Sequence, residues 1–174
     1  MVLHNCAKAA GERGVPVIAD GGISNIGHIA KALAIGASSA MMGSMLAGTA
    51  EAPGEYFYEE GVRVKRYRGM GSPEAMAQRS AQRYMERDEQ IKVAQGVSGT
   101  VVDKGSVVDY VPYLMQGVRH ALQDVGCPSL HRMHEALRSG DLRFEKRSVF
   151  ARVEGGVHSL HSFQDPHRFS RSKR

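Results

Sequence analysis

The sequence predicts an α/β fold, a partial TIM (β/α)8 barrel made of late strands with an active-site flap insertion and an extended C-terminal segment. Two short apolar runs, residues 15–19 and 38–42, have the length of buried strands. Each run ends in small and polar residues, Asp-Gly-Gly after the first and Gly-Ser after the second. A helical stretch over residues 25–35 joins the runs, and strand–helix–strand is the repeating unit of such a barrel.

The length and the first residues indicate that these 174 residues are part of a longer chain. A complete barrel takes about 250 residues. Residues 2–13 read as a helix that no cap residue or strand precedes. We therefore expect residues 1–162 to be the C-terminal part of a barrel, with a flap at about 67–106, and residues 163–174 to be a disordered basic tail.

The remaining elements follow from local signals in chain order. Asn25 is a predicted N-cap and Gly36 a predicted C′ glycine of the helix over 25–35. Residues 56–67 alternate around a Glu-Gly turn and predict a hairpin. Ser72 and Pro73 predict the start of a helix that ends near residue 84. Residues 88–106 lack firm periodicity and read as a mobile flap or an ordered loop, helices are predicted over 108–125 and 130–138, and residues 144–161 read as extended.

Composition narrows the class of protein. The net charge of +5 comes largely from residues 167–174, which could bind nucleic acid or anionic lipid, although a solvated end is the commoner form of such a tail. The two cysteines, Cys6 and Cys127, form neither a disulfide framework nor a paired metal motif, so we expect a reducing, cytoplasmic location. The apolar window 29–48 is broken by Lys31 and by glycines, which predicts a buried core segment rather than a membrane span.

The strand-end residues predict a site for a phosphate or a sugar. Glycines allow the backbone to approach a ligand closely, and free amides at a helix start donate to an anion. Taken alone, Asp-Gly-Gly is equally consistent with a tight turn. Six further motifs in fixed order favour the site: Met41-Met-Gly-Ser44, Glu51-Ala-Pro-Gly54, Tyr67-Arg-Gly-Met-Gly-Ser72, Arg83-Tyr84, Lys92-Val-Ala-Gln-Gly-Val-Ser-Gly99 and Glu154-Gly-Gly-Val-His-Ser159.

This combination resembles the C-terminal part of inosine-5′-monophosphate (IMP) dehydrogenase over about residues 14–162. The resemblance implies oxidation of IMP to XMP with NAD in guanine nucleotide synthesis, a bound potassium ion, and a homotetramer of full-length chains. In that family a cysteine attacks C2 of the purine and hydride passes to NAD. The covalent thioimidate that remains is hydrolysed after the flap closes.

The resemblance also assigns roles to residues of this sequence. Asp20 matches the carboxylate that holds the ribose hydroxyls, and Gln95 matches the amide that reads the base edge. Arg83 and Tyr84 match the catalytic dyad on the flap, where the arginine acts as base toward water only if the closed site desolvates it. The other matches are phosphate contacts by Gly21, Gly22, Gly43, Ser44 and Tyr67, backbone contacts to the purine by Gly69, Met70 and Gly71, and a further IMP contact by Arg68. Carbonyls of Glu154, Gly155 and Gly156 match the ligands of the potassium ion.

One motif of the family does not occur in the sequence, the Gly-Ser-x-Cys loop that carries the nucleophile. Cys6 lies in helical context and reads as a small buried packing residue, and Cys127 also reads as structural. These 174 residues therefore supply IMP contacts and the Arg-Tyr dyad without the nucleophile, and we expect them to be inactive alone. His131 and His134 read as a solvated helix face rather than as a metal pair.

Two alternatives stay open. GMP reductase shares the Asp-Gly-Gly and Met-Gly-Ser strands, but it should lack the Arg-Tyr dyad and the Glu-Gly-Gly-Val-His-Ser segment, both of which occur here. A non-catalytic fragment that binds nucleotide or associates with a full-length subunit should carry its own N-terminal cap, and none is visible. Without the resemblance, Arg83 would read as a surface or phosphate-binding arginine and Gly155-Gly156 as a plain turn.

Overall fold

The computed structural model describes residues 2–77 and 94–154. Of these, residues 2–19, 25–40 and 116–154 form one compact unit, and residues 20–24, 41–77 and 94–115 form a second. The helices and strands in chain order are α1 (Val2–Gly11), β1 (Ile18–Asp20), α2 (Ile26–Ala34), β2 (Ser39–Met41), α3 (Ser44–Ala47), β3 (Tyr56–Glu59), β4 (Val62–Arg68), α4 (Pro73–Ala77), β5 (Ser98–Val102), α5 (Val107–Asp124), α6 (Leu130–Ser139) and α7 (Val149–Glu154). None of the described helices is long and apolar enough to cross a membrane.

The first unit is built from helices whose apolar faces pack together. Asn25 caps α2, since its side-chain oxygen accepts a hydrogen bond from the His28 N–H at 2.9 Å. Gly36 follows the end of α2 with a φ of 111°, a conformation that favours glycine. Both observations confirm the predicted helix ends. The buried apolar residues of this unit are Ala19, Ile29, Ala32, Ala34, Ala37 and Met133.

A histidine joins α6 to the end of α2. His134 Nε2 lies 2.8 Å from the carbonyl oxygen of Leu33, within hydrogen-bond distance. His131, one turn earlier on α6, is exposed and lies 3.2 Å from the carboxylate of Glu135. The prediction of a solvated helix face is therefore wrong for His134, which makes a structural contact within the first unit.

The second unit is organised around a three-stranded antiparallel sheet in the order β3-β4-β5. In the β3–β4 pair Tyr56 lies opposite Lys65, and Glu59 lies opposite Val62. The turn between these strands has positive φ at both central residues, Glu60 and Gly61, as a type I′ hairpin turn requires. The predicted hairpin around Glu-Gly is confirmed.

The structure differs from the sequence prediction at three elements. β5 lies within residues 88–106, where the sequence predicts no strand. Its pairing with β4 is a contact between distant parts of the chain, which leaves no local periodicity. α3 is a four-residue helix that begins three residues after the end of β2 and is too short to give a periodic signal. α7 lies within residues 144–161, which were expected to be extended. At the start of α7, Ser148 Oγ accepts a hydrogen bond from the Ala151 N–H at 3.1 Å.

α4 begins as the sequence predicts. Ser72 Oγ accepts a hydrogen bond from the Ala75 N–H at 3.2 Å, and Pro73 is the first helical residue. The rest of the predicted helix, to residue 84, lies outside the described residues. The α/β class is confirmed, with β1 and β2 forming a two-stranded sheet that α2 connects.

Candidate functional site

The carboxyl ends of β1 and β2 carry the first predicted site residues. β1 ends at Asp20, whose side chain is exposed, and β2 ends two residues before Gly43. Gly21 and Gly22 have φ angles of 97° and 71°, which L side chains rarely adopt. A Cβ atom at either glycine would meet nothing within 4 Å in the described residues. Backbone conformation, not crowding, therefore requires glycine here, and the space beside the turn is open to a ligand.

Tyr67 lies beside the start of α3. A Cβ atom on Gly43 would be 3.9 Å from the Tyr67 hydroxyl oxygen, so the phenol and the glycine backbone face the same space. Gly43 occupies the N-cap position of α3, and Ser44 is its first residue. Backbone amides at a helix start, a serine hydroxyl and a phenol all donate hydrogen bonds to an anion. The structure thus brings together three of the residues predicted to contact phosphate.

The glycine loop after β4 is held against the segment that carries Gln95. The Gly69 N–H donates to the Val97 carbonyl at 2.9 Å, and the Gln95 N–H donates to the Gly71 carbonyl at 2.9 Å. A Cβ atom on Gly96 would lie 3.0 Å from the Gly71 carbonyl carbon, which shows how closely the two backbones approach. The structure therefore places Gln95 next to the loop with which it is predicted to contact the purine.

A cavity of about 750 Å³ opens beside this loop within the second unit. The predicted site residues Tyr67, Arg68 and Met70 line it, and Met70 is half exposed. Arg66 and Glu55 also line the cavity and were not predicted from the sequence. Arg66 lies two residues before Arg68 on β4, so the alternation of strand side chains could have placed both arginines on one face. The volume is in the range of pockets that hold small organic ligands.

Two glutamates accept hydrogen bonds from residues of the segment between β4 and α5. Glu74 accepts a hydrogen bond from Ser98 Oγ at 2.6 Å, and Glu51 accepts from Ser106 Oγ at 2.5 Å and from the Val107 N–H at 2.8 Å. These bonds hold the pKa of each carboxyl below its ordinary value, with the serine hydroxyl as the main cause in both. The ionised carboxylates thereby fix α4 to β5 and cap α5.

The remaining predicted residues are only partly placed. Arg83 and Tyr84 lie outside the described residues, as do Gly155 and Gly156. Glu154 is the last residue of α7. Among residues 2–77 and 94–154, no group of three or more His, Cys, Asp or Glu side chains is positioned to hold a metal ion. The catalytic dyad and the potassium ligands therefore stay predictions.

The two cysteines do not form a pair. Cys6 is exposed on α1, so the expectation of a buried packing residue is wrong in the described structure. Cys127 is partly buried after α5, next to Gly126, whose φ is 73°. Neither cysteine follows a glycine–serine loop in the sequence.

The fold and the arrangement of these residues are typical of α/β proteins that bind a phosphorylated ligand at the ends of their strands. Comparison with known proteins narrows this class. A family model described as "IMP dehydrogenase / GMP reductase domain" matches residues 1–158. The chain belongs to this IMP dehydrogenase / GMP reductase family.

Three individual relatives are named for the first of the two activities in this family description. The chain is 56% identical over 162 residues to inosine-5′-monophosphate dehydrogenase of Vigna unguiculata, covering 93% of this chain and 32% of that protein. It is 54% identical to inosine-5′-monophosphate dehydrogenase 2 of Arabidopsis thaliana, with the same coverage. The identity to the Caenorhabditis elegans inosine-5′-monophosphate dehydrogenase is also 54%, over 93% of this chain and 31% of that protein. The chain thus spans about a third of the length of the curated relatives it matches.

Proposed function

We propose that the chain is the C-terminal part of an IMP dehydrogenase, the oxidoreductase that converts IMP to XMP with NAD. One structural observation supports the proposal in addition to family membership. Within a single compact unit, Tyr67 lies beside Gly43 and Gln95 lies beside Gly71, so the expected phosphate and purine contacts are grouped. The names of the relatives favour the dehydrogenase over the reductase.

In this proposal the second unit binds and orients IMP. The amides at Gly43 and Ser44 and the Tyr67 hydroxyl donate hydrogen bonds to the phosphate; the proximity of the Tyr67 hydroxyl to Gly43, at the start of α3, supports this assignment. The Asp20 side chain, at the end of β1, accepts hydrogen bonds from the two ribose hydroxyls. The amide side chain of Gln95 reads the edge of the base, an assignment supported by the backbone hydrogen bond between Gln95 and the Gly71 carbonyl. These contacts fix the purine C2 in the place where the chemistry occurs.

The chemical steps divide between this segment and the rest of a longer chain. A cysteine thiolate from outside these 174 residues attacks C2 of IMP, and the C2 hydrogen leaves as hydride. Bound NAD would supply the hydride acceptor. Arg83, desolvated in the closed site, then takes a proton from water, whose oxygen attacks C2 and releases the thiolate and XMP. Tyr84 supports that proton transfer as the second member of the dyad.

We place the complete subunit in the cytoplasm as a homotetramer with a potassium ion bound near residues 154–156. The last carbonyls of a helix lack intrahelical partners, so the end of α7 at Glu154 offers oxygen ligands of the kind a hard cation prefers. Two unpaired cysteines agree with a reducing compartment. The flap at about 67–106 and the completed barrel belong to the same proposal.

Replacing Arg83 tests the assigned chemistry. In the complete subunit, Arg83→Ala should slow steady-state XMP formation by about 10²–10⁴-fold, the usual contribution of a general base. The first turnover of NADH formation should change far less, so that a covalent enzyme–IMP adduct accumulates. Rapid-quench measurement of NADH and mass spectrometry of the trapped adduct report the two steps separately.

The matched control is Arg79→Ala, which removes the same charge four residues earlier. It should leave both steps close to wild type. Equal slowing of hydride transfer and hydrolysis in Arg83→Ala would contradict the role of Arg83 as base.

The isolated 174-residue chain provides a second test. Because it contains no Gly-Ser-x-Cys loop, it should not reduce NAD in the presence of IMP. An antibody against residues 154–162 should detect a native polypeptide far heavier than 18.9 kDa. IMP-dependent NADH formation by the isolated chain would show that the nucleophile lies within it.

A further inference from the structure

A lysine is buried in the second unit, and among the described residues its hydrogen-bond acceptors are backbone carbonyls rather than carboxylates. Lys65, on β4, is 1% exposed. Its ammonium group donates hydrogen bonds to the carbonyl oxygens of Thr49 at 2.7 Å, of Ala50 at 3.4 Å and of Ala52. The ring of Tyr56 lies 4.6 Å from Nζ and supplies a cation–π contact.

Burying a charged group is costly unless its hydrogen bonds are satisfied. A lysine ammonium has three N–H donors, and here the backbone of one short loop, residues 49–52, takes all of them. A second side chain holds the residue just before this loop, because the Tyr56 hydroxyl donates to the carbonyl of Gly48, the C-cap of α3, at 3.1 Å. The loop is therefore fixed to the β3–β4 hairpin by side-chain donors on both strands.

The position of this loop links Lys65 to the candidate phosphate site. Residues 49–52 come one residue after the C-cap of α3, and α3 begins at the Gly43-Ser44 pair. Lys65 and Tyr67 are two residues apart on β4, so their side chains project to the same face of the strand. Lys65 thus secures the end of α3, while Tyr67 on the same face lies beside its start.

We propose that Lys65 is a positioning residue for the IMP phosphate: by tying the loop after α3 to β4, it holds the Gly43-Ser44 amides and the Tyr67 hydroxyl in register. Lys65 does not touch the ligand in this arrangement and acts through α3. The proposal rests on the proposed function, because it takes the anion beside Tyr67 to be the phosphate of IMP.

Lys65→Met in the complete subunit tests this role, since it keeps the length of the side chain and removes its charge and donors. The affinity for IMP, measured by calorimetry and as KM, should weaken about tenfold or more, because hydrogen bonds to a charged phosphate lose their alignment. The KM for NAD and the inhibition constant of inosine, the nucleoside without phosphate, should each change less than about twofold. Lys31→Met, the same change at an exposed lysine of α2, should alter none of these constants.

Tyr56→Phe keeps the test decisive if Lys65→Met fails to fold. It removes only the hydroxyl that holds the Gly48 carbonyl, so it should weaken IMP binding in the same direction by a smaller factor. Equal losses for IMP, NAD and inosine in either variant would overturn the proposal, as would unchanged IMP affinity in both.

The calorimetric measurement separates this inference from the proposed function. If the wild-type subunit binds IMP but does not reduce NAD, the proposed dehydrogenase activity is wrong, and the difference in IMP affinity between wild type and Lys65→Met still decides the role of Lys65. If the wild-type subunit does not bind IMP, both proposals are wrong.

Discussion

The two compact units of the chain are stabilised by different kinds of contact. In the first unit, helices meet through apolar side chains, as where a Cβ atom on Gly117 of α5 would lie 2.6 Å from Ile26 Cδ1 of α2. In the second unit the tightest contacts are made by backbone. A Cβ atom on Gly48 would overlap the Val102 carbonyl oxygen, because α3 ends directly against β5. Charged groups also stabilise the second unit: Glu51 caps α5, and Lys65 holds the loop of residues 49–52.

This difference has a physical consequence for the candidate site. Side chains can change rotamer when a neighbour grows, whereas a backbone carbonyl in a paired strand cannot move without breaking its ladder. Every predicted IMP contact lies in the second unit, where the backbone contacts dominate. We infer that the geometry of the site depends on close backbone approach more than on apolar packing.

Adding one methyl group to each unit should give the largest contrast. Gly48→Ala forces α3 away from Val102 and should destabilise the complete subunit by about 1–3 kcal/mol, the usual cost of overpacking. Gly117→Ala meets the Ile26 side chain, with Cγ2 at 2.7 Å as well as Cδ1 at 2.6 Å, so this β-branched side chain must shift. Because alanine gains about 1 kcal/mol over glycine within a helix, the net cost should be smaller than for Gly48→Ala. Urea denaturation of both variants measures the difference.

Gly99→Ala is the control on β5, the strand that also carries Val102, because a Cβ atom at Gly99 meets nothing within 4 Å. It should behave like the wild type. If Gly48→Ala proved no more destabilising than Gly117→Ala, the contrast between backbone contacts and side-chain packing would be wrong.

A smaller effect should appear when a polar contact is removed from the first unit. His134→Ala deletes the hydrogen bond to the Leu33 carbonyl and should cost roughly 0.5–1.5 kcal/mol. His131→Ala, on the same helix but with a 76% exposed side chain, should cost less. The urea midpoints of the two variants provide the measurement, and equal midpoints would show that the α2–α6 hydrogen bond contributes nothing.

The smallest effect should be a pH dependence that comes from the second unit. Hydrogen bonds from Ser106 and Val107 lower the pKa of Glu51 below its ordinary value of 4.5 in the folded state. The stabilisation is therefore fully present above that value and is lost as the pH falls through the lowered pKa. Glu51→Gln should flatten the decline of melting temperature in this acid range. Glu12→Gln, at an exposed position of the first unit, should leave the decline as steep as in the wild type.

The sequence predicts the first unit better than the second because the two units are stabilised by different kinds of contact. Helices that pack by apolar side chains leave a period in the sequence, so α2, α5 and α6 were predicted near their observed bounds. Local rules also predicted the hairpin turn at Glu60-Gly61 and the caps at Asn25 and Ser72. β5 was missed because its pairing with β4 is a contact between distant parts of the chain.

The burial of Lys65 shows what local patterns cannot predict. In β4, residues Val62 and Val64 alternate with Arg63 and Lys65, which predicts a polar face for Lys65. The structure buries both Val64 and Lys65, because residues 49–52 cover the polar face at that point. Family motifs identified Tyr67 and Gln95, but only the structure shows their neighbours, Gly43 and Gly71.

The central claim is that this segment belongs to an IMP-oxidising subunit and not to the reductase of the same family. The most direct test is to supply the complete native subunit with IMP and NAD in one assay and with GMP and NADPH in another. The first assay measures the formation of NADH, and the second measures the oxidation of NADPH. The account predicts NADH formation that requires IMP, with no oxidation of NADPH in the presence of GMP. GMP-dependent oxidation of NADPH, with no NADH formed from IMP, would contradict it.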